Sequence, residues 1–174
     1  RIHSEDFLKM DMAKKFSGSI SVVGNYPYNI SSQILFHLLK NPDQVTDISG
    51  MFQREVARRI CSGPGSKEYG ILSVLLEHYF SRKYAFTVSE NVFNPPPKVK
   101  SGVIQLIKKD DVVDSVDFDV FTKLVKAAFN QRRKMLRNSL SGIFDKDKMN
   151  SELFNQRPEQ LDYSHFLKLM ELFK

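Results

Sequence analysis

Apolar and polar residues follow two different periods in the first part of this chain. Residues 19–23 are short, β-branched and almost continuously apolar, which is typical of a strand buried on both faces. Apolar residues within 34–39 then recur at helical spacing, and residues 29–32 offer N-cap side chains just before them. The Asn-Pro-Asp sequence at 41–43 ends the predicted helix.

The same reading predicts further alternating elements as far as residue 107. They are strands at Val45–Gln53, Tyr84–Val88 and Gly102–Ile107, and helices at Glu55–Ile60 and Tyr69–Phe80. Strands that alternate with helices indicate an α/β sheet, and the last two strands are placed to form an antiparallel hairpin.

After Ile107 the pattern becomes helical. Lys108–Asp117 reads as a charged linker, and Phe118–Phe129 carries an apolar stripe at helical spacing. Shorter helices are predicted around Lys134–Leu140, Met149–Phe154 and Ser164–Phe173. We therefore divide the chain into an α/β part, residues 1–112, and a small helical part, residues 113–174.

The first residues read like the middle of a fold. Ile2-His3-Ser4 has the pattern of a short strand that leads into the acidic pair Glu5-Asp6, with no element before it. The sequence contains no glycine-rich phosphate or nucleotide loop. These features predict that the chain lacks an N-terminal portion.

Composition narrows the functional classes. The net charge of +6 over 174 residues favours a polyanionic partner, with nucleic acid first among the candidates. Cys61 is the only cysteine and the four histidines are scattered, so no disulfide framework and no metal site is predicted. No apolar run approaches the roughly 20 residues of a bilayer span and no secretory signal is present, so a cytoplasmic location is expected.

The turn Asn25-Tyr26-Pro27-Tyr28 follows the first predicted strand. Ligands of open α/β sheets sit beyond the carboxyl ends of strands, so this is where chemistry is expected. Asn25 offers an amide oxygen, Pro27 stiffens the turn, and Tyr28 offers a flat face for stacking. With a backbone carbonyl at Tyr26 or Pro27, the Asn25 oxygen can accept both N–H groups of an exocyclic amine such as adenine N6. An ordinary surface turn is the alternative, since Asn and Pro both favour turns.

Four ordered segments now resemble one family. They are GNYPYNISSQILFHLL (24–39), MFQREVARRICSGPGSKEYGILSVL (51–75), VFNPPPKVKSGVIQL (92–106) and AAFNQRRKMLRNSL (127–140). Together they are similar to the ribosomal RNA adenine N6-dimethyltransferases, and the last segment resembles the small-subunit, KsgA-like branch. Tyr26 departs from the pattern, because the family usually has Leu or Ile there; we expect the position to contribute mainly its backbone.

The resemblance implies a Rossmann-like class I methyltransferase sheet with a small C-terminal all-helical domain. It implies S-adenosylmethionine as methyl donor and, as substrate, two adjacent adenosines near the 3′ end of 16S-type ribosomal RNA. The family's catalytic motif falls on Asn25, Pro27 and Tyr28, and Asn25 also lies beside the donor's methyl group. Asp6 matches the acidic residue that contacts the donor's adenine, and Phe93 matches the aromatic that flanks the target base opposite Tyr28. Since the family's glycine-rich donor loop would precede Arg1, we expect these 174 residues alone to bind the donor negligibly and to be inactive.

Basic residues in two regions are candidates for contacts to RNA phosphates. The predicted RNA-binding residues are Arg54, Arg58, Arg59, Lys98, Arg132, Arg133, Lys134 and Arg137, the last four placed within one helical stretch. A solvated basic face is the plain alternative, and Glu55 offers an ion-pair partner to at least one of the arginines near it.

Three functional hypotheses follow. The first is an enzyme that dimethylates small-subunit ribosomal RNA, acts as a monomer on the small ribosomal subunit, and contributes to its biogenesis. The second is a large-subunit RNA adenine N6-methyltransferase of the macrolide-resistance type, which shares the Asn-x-Pro-Tyr turn. The third is a ribosomal RNA-binding assembly factor without catalysis.

Overall fold

The computed structural model describes residues 2–110, 112 and 116–172, and these form two compact units. Described residues up to Cys61 and from Tyr79 to Asp110 make the first unit; Ser62–His78 and the described residues after 111 make the second. The predicted boundary after residue 112 would instead leave 62–78 with the sheet. It stays a prediction, and part of the linker around it lies outside the described residues.

The first unit contains a four-stranded mixed sheet in the order β1-β2-β4-β3. Its strands are β1 (Ile20–Asn25), β2 (Val45–Gln53), β3 (Phe80–Val88) and β4 (Ser101–Lys108). β1 pairs parallel with β2, whereas β4 pairs antiparallel with both β2 and β3. The predicted α/β sheet and its antiparallel last pair are confirmed.

Helices connect these strands and make up most of the second unit. Those up to β3 are α1 (Met12–Lys15), α2 (Ser31–Leu38), α3 (Arg54–Cys61) and α4 (Ile71–Tyr79), and those after β4 are α5 (Phe118–Asn130), α6 (Leu136–Ser139) and α7 (Tyr163–Leu172). Short 3-10 helices occupy Phe7–Lys9, Pro42–Gln44, Glu90–Val92, Lys146–Asn150, Glu152–Asn155 and Pro158–Gln160. Among the described helices, none is both long enough and apolar enough to cross a bilayer.

Each unit has its own apolar core. In the first, Ile48 and Phe52 of β2 and Ile104 and Leu106 of β4 are completely buried. In the second, Phe121, Leu124 and Val125 of α5 are buried as the apolar stripe predicts, together with residues of α4, α6 and α7. Successive side chains of a strand point to opposite faces of the sheet, and this alternation positions the site described below.

Four local predictions are wrong. β1 is not buried on both faces: its side chains alternate between half-buried and exposed, and Val23 is 78% exposed. Residues 2–4 form no strand, because β1 pairs only with β2 among the described residues. The N-cap of α2 is Ile30, which makes no side-chain capping bond. Residues 131–134 are turns, because Gln131 leaves helical backbone angles (φ −120°, ψ 52°) and ends α5.

Candidate active site

The turn at residues 25–28 is fixed by backbone hydrogen bonds on both sides. Asn25 is the last residue of β1 and pairs with Met51, and the Tyr26 N–H continues the ladder by donating to the Met51 carbonyl at 3.2 Å. On the other side, the Ile30 N–H donates to the Pro27 carbonyl at 3.2 Å and the Ser31 hydroxyl to the Tyr28 carbonyl at 3.3 Å. The turn therefore joins β1 to α2 in one defined conformation.

The Tyr26 side chain lies in the core. Its ring stacks on Phe52 with centroids 4.6 Å apart, and only 6% of the residue is exposed. The ring fits because two facing residues lack side chains: a Cβ on Gly50 would lie 2.4 Å from the ring, and one on Gly24 would lie 3.1 Å from it. The ring thus fills the space above both glycines and contributes to packing, while the expectation that the position serves the chemistry mainly through its backbone stays a prediction.

Burial also changes the acidity of Tyr26. Desolvation raises the pKa of its hydroxyl to about 12 from an ordinary 10.0, so the group stays protonated at physiological pH. The hydroxyl oxygen is buried and meets no hydrogen-bond partner among the described residues.

An open cavity of about 380 Å³ lies at this turn, beyond the carboxyl end of β1. Its lining is Asn25, Tyr26, Pro27, Tyr28, Met51, Phe93, Pro95 and Pro97. The four residues predicted to be catalytic, Asn25, Pro27, Tyr28 and Phe93, thus line one cavity. Because the lining carries no formal charge at neutral pH, it suits a neutral planar group better than an anion.

Tyr28 and Phe93 reach the cavity from separate elements. The half-buried Tyr28 ring is tethered at its far end, because its hydroxyl hydrogen-bonds the hydroxyl of Ser101, the buried first residue of β4. Phe93, also half-buried, follows the 3-10 helix Glu90–Val92, and its N–H donates to the Glu90 carbonyl at 3.3 Å. The loop between Phe93 and β4 contains a cis Asn94–Pro95 peptide.

The structure distinguishes between the two candidate carbonyl acceptors. The Pro27 carbonyl already accepts the Ile30 N–H, whereas none of the described residues donates a hydrogen bond to the Tyr26 carbonyl. Of the two predicted acceptors, the Tyr26 carbonyl is therefore the one that accepts no hydrogen bond from the described residues.

Asp6 lies apart from the lining residues of this cavity. It caps the Phe7–Lys9 helix by accepting the Leu8 N–H at 3.0 Å, and Lys9 approaches its second carboxylate oxygen at 3.7 Å. Its side chain is half exposed, so it keeps acceptor capacity toward a ligand.

Basic residues of the first unit surround a second, smaller crevice. This crevice of about 250 Å³ is lined by Gln53, Arg54, Glu55, Val99 and Lys100. Lys98 is exposed in the adjoining loop, and Arg58 and Arg59 are exposed on α3. Arg59 forms the predicted ion pair with Glu55 at 2.9 Å.

In the second unit, the basic segment after α5 divides into structural and exposed members. The half-buried Arg132 donates to the Ser66 carbonyl at 3.0 Å, and Arg137 donates to the Asn155 side chain. Arg133 and Lys134 are exposed in the turn. Arg132 thus ties two segments of the unit together, whatever it does toward RNA.

Sequence reasoning missed Met51 in the lining and Ser101 behind Tyr28. The available signal for Met51 is its position two residues before the end of β2. Because β2 pairs parallel with β1, that position lies beside Asn25. Ser101 is a buried serine that begins a strand, and nothing in its neighbours in sequence indicates that its hydroxyl bonds Tyr28.

The chain is similar to known proteins over its whole length. The family model described as ribosomal RNA adenine dimethylase matches residues 1–174. Ribosomal RNA small subunit methyltransferase A of Parabacteroides distasonis is 53% identical over 171 residues, which cover 97% of this chain and 64% of that protein. The protein of the same name from Flavobacterium johnsoniae is 50% identical over 173 residues, covering 98% and 66%. The chain therefore spans about two thirds of the length of these relatives.

Two solved structures share the fold at low identity. A dimethyladenosine transferase from Plasmodium falciparum superposes with a TM-score of 0.80 at 24% identity, over 98% of this chain and 71% of that one. The 23S rRNA methyltransferase ErmE gives 0.62 at 21% identity, over 97% and 69%. These likenesses confirm the predicted Rossmann-like methyltransferase fold class. The family match over all 174 residues and the relatives at 50–53% identity establish that the chain belongs to the ribosomal RNA adenine dimethylase family.

Proposed function

We propose that this chain carries the target-base site for N6,N6-dimethylation of two adjacent adenosines near the 3′ end of small-subunit, 16S-type ribosomal RNA. The observation that supports this most is the meeting of Asn25, Pro27, Tyr28 and Phe93 around one uncharged cavity at the end of β1. The relatives at 50–53% identity are named as small-subunit methyltransferases, which favours this substrate over large-subunit RNA.

In the proposed mechanism, an adenine leaves its helix and enters between Tyr28 and Phe93. Stacking on an aromatic side chain contributes about 1–3 kcal/mol per base. The base presents N6 to the Asn25 side-chain oxygen and the Tyr26 carbonyl, each of which accepts one N–H. These bonds favour a tetrahedral nitrogen whose lone pair points away from both acceptors.

S-adenosylmethionine, when bound, supplies a methyl group attached to a sulfonium. That methyl carbon is electrophilic enough for the amine to react without prior deprotonation by a strong base. Transfer would form the N–C bond as the donor's C–S bond breaks, and the nitrogen would then release a proton toward water through the open side of the cavity. Asn25 holds the amine, and Asp6 offers a carboxylate acceptor to the donor's adenine. A second round follows in the same way, with one acceptor facing the N–H of the monomethylated amine.

Exposed cations fit the RNA backbone. Arg54, Lys98 and Lys100 are exposed on the first unit, and Arg133 and Lys134 on the second. We infer that they contact phosphates without reading sequence. The proposal includes the small ribosomal subunit as partner, a monomeric state and a cytoplasmic location.

Asn25→Ala in the natural polypeptide that contains these residues tests the proposal. We expect transfer of labelled methyl groups to small subunits lacking the modification to fall by about 100- to 1000-fold, the usual effect of losing one preorganised polar group. Asn91→Ala is the matched control, because Asn91 is exposed and does not line the cavity. Undiminished transfer by Asn25→Ala would refute the mechanism. Label in large-subunit RNA would favour the second hypothesis, and RNA binding without any transfer would favour an assembly factor.

A further inference from the structure

Ser101 is a buried hydroxyl at the junction between the Phe93 loop and the sheet. It is the first residue of β4, has no exposed surface, and pairs with Gln53 of β2 in the antiparallel ladder. Its Oγ hydrogen-bonds the Tyr28 hydroxyl, across more than seventy residues of sequence. Ser101 therefore joins the turn at the end of β1 directly to β4.

This bond restrains the Tyr28 ring at the end opposite its backbone. The backbone is fixed by the turn, where the Tyr28 carbonyl accepts the Ser31 hydroxyl, and the phenol is fixed by Ser101. A ring held only at Cβ turns about two side-chain torsions, and the torsion at the ring is broad. Loss of the phenol bond would free the ring face that lines the cavity.

The same bond ties Tyr28 to the strand that follows the Phe93 loop. Phe93 and Tyr28 both line it, and the loop that carries Phe93 runs into Ser101. The backbone next to Ser101 is held as well, since the Arg54 N–H donates to the Lys100 carbonyl at 2.9 Å. The hydrogen bond to Ser101 therefore restrains the Tyr28 ring relative to the end of the loop that carries Phe93.

We propose that Ser101 is a positioning residue that acts through Tyr28 and sets the orientation of the ring on which the target base stacks. This inference rests on the proposed function. Ser101 itself does not line the cavity, so it does not touch the reacting amine. Its effect falls on base placement, and hence on kcat and on the stacked state of the base, with donor affinity unchanged.

The test is a double-mutant cycle in the natural polypeptide, with Ser101→Ala, Tyr28→Phe and the double variant. Each single change removes one partner of the same bond, so we expect each to lower kcat by about tenfold and the double variant to lower it by no more than either alone. KM for the donor should not move. A multiplicative loss in the double variant would overturn the proposal.

A matched pair separates the hydroxyl from packing. Ser101→Thr keeps the hydroxyl and Ser101→Val replaces it with a methyl group of similar size, so both impose the same crowding at the buried site. We expect Thr to retain several-fold more activity than Val at equal thermal stability. Equal activity of the two variants would show that the hydroxyl has no positioning role.

A second readout does not depend on methyl transfer. A ribosomal RNA hairpin with 2-aminopurine at the target adenosine reports stacking of the extruded base through its fluorescence. We expect Ser101→Ala and Tyr28→Phe to shift that signal equally. The two proposals can fail separately. If the unsubstituted protein transfers no methyl groups but both variants still shift the 2-aminopurine fluorescence equally, the proposed function fails while the positioning role of Ser101 stands. No signal change on binding of the unsubstituted protein would overturn both.

Discussion

Removing the Tyr26 hydroxyl should stabilise the fold. Tyr26→Phe keeps the ring that stacks on Phe52 and fills the space above the two glycines, and deletes only a buried oxygen that meets no hydrogen-bond partner among the described residues. A buried polar group left unsatisfied costs about 1–3 kcal/mol. We therefore expect the free energy of unfolding to rise by about 1 kcal/mol at pH 7.

The same substitution should change stability at alkaline pH. Burial raises the pKa of Tyr26 to about 12 in the folded state, against an ordinary value of 10.0. Because the pKa is higher in the folded state, the unfolded chain releases the Tyr26 proton first as pH rises. The stability of the parent is therefore unaffected by this ionisation below pH 10 and falls as pH rises from 10 through 12. Two pKa units correspond to about 2.7 kcal/mol, so the advantage of Tyr26→Phe over the parent should widen by that order across this window.

Urea unfolding of the 174-residue chain, followed by circular dichroism between pH 7 and 12, measures both effects. Cys61 also titrates at alkaline pH, because burial raises the pKa of its thiol to about 11, but it is common to parent and variant and cancels in their difference. Tyr84→Phe is the control at pH 7: its hydroxyl hydrogen-bonds Thr87 at 2.7 Å, so that variant should lose about 1 kcal/mol. A Tyr26→Phe variant less stable than the parent at pH 7, or a pH-independent difference, would refute the reasoning.

Two further predictions concern glycines and arginines. A Cβ on Gly50 would lie 2.2 Å from the Gly24 carbonyl oxygen, so Gly50→Ala should lower the free energy of unfolding by at least about 3 kcal/mol in chemical denaturation, and Tyr26→Leu should not restore it. A Cβ on Gly24 would instead lie 3.1 Å from the Tyr26 ring. Gly24→Ala should therefore cost about 1 kcal/mol, and Tyr26→Leu should relieve that loss. Arg132→Ala should lower the melting temperature through loss of its bond to a backbone carbonyl, whereas Arg133→Ala should leave melting unchanged and reduce the salt dependence of RNA binding. Equal melting of the two arginine variants would contradict this division.

The elements that the sequence predicts well are those whose side chains have a strong period. The bounds of β2 agree with the prediction from Val45 to Gln53, and α5 runs one residue beyond the predicted Phe129. In α5, burial follows the helical periodicity that suggested the element. The basic segment after α5 was misread because Asn, Gln, Arg and Lys are all compatible with a helix, and only backbone angles at Gln131 end it.

The cavity residues were predicted from motif chemistry, and their convergence follows from topology. Asn25 and Met51 meet because β1 and β2 are parallel neighbours in register. Ser101 meets Tyr28 because β4 returns antiparallel beside β2, a long-range pairing that no local pattern encodes. The division of cations into structural Arg132 and exposed Arg133 depends likewise on a carbonyl more than sixty residues away in sequence.

The turn's two tyrosines explain why an unusual residue is tolerated at its second position. Side chains alternate between faces along β1, so Tyr26 lies on the same face as Gly24, Gly50 and Phe52. Tyr28 bonds Ser101, which lies on the opposite face with Met51 and Gln53. One tyrosine is held by burial and stacking and the other by a hydrogen bond. Asn25 lies directly before them, with its own backbone in the β1–β2 ladder. The bulky Tyr26 therefore adds a buried anchor where Leu or Ile is usual, and its ring requires glycine at two positions of the same face, Gly24 and Gly50.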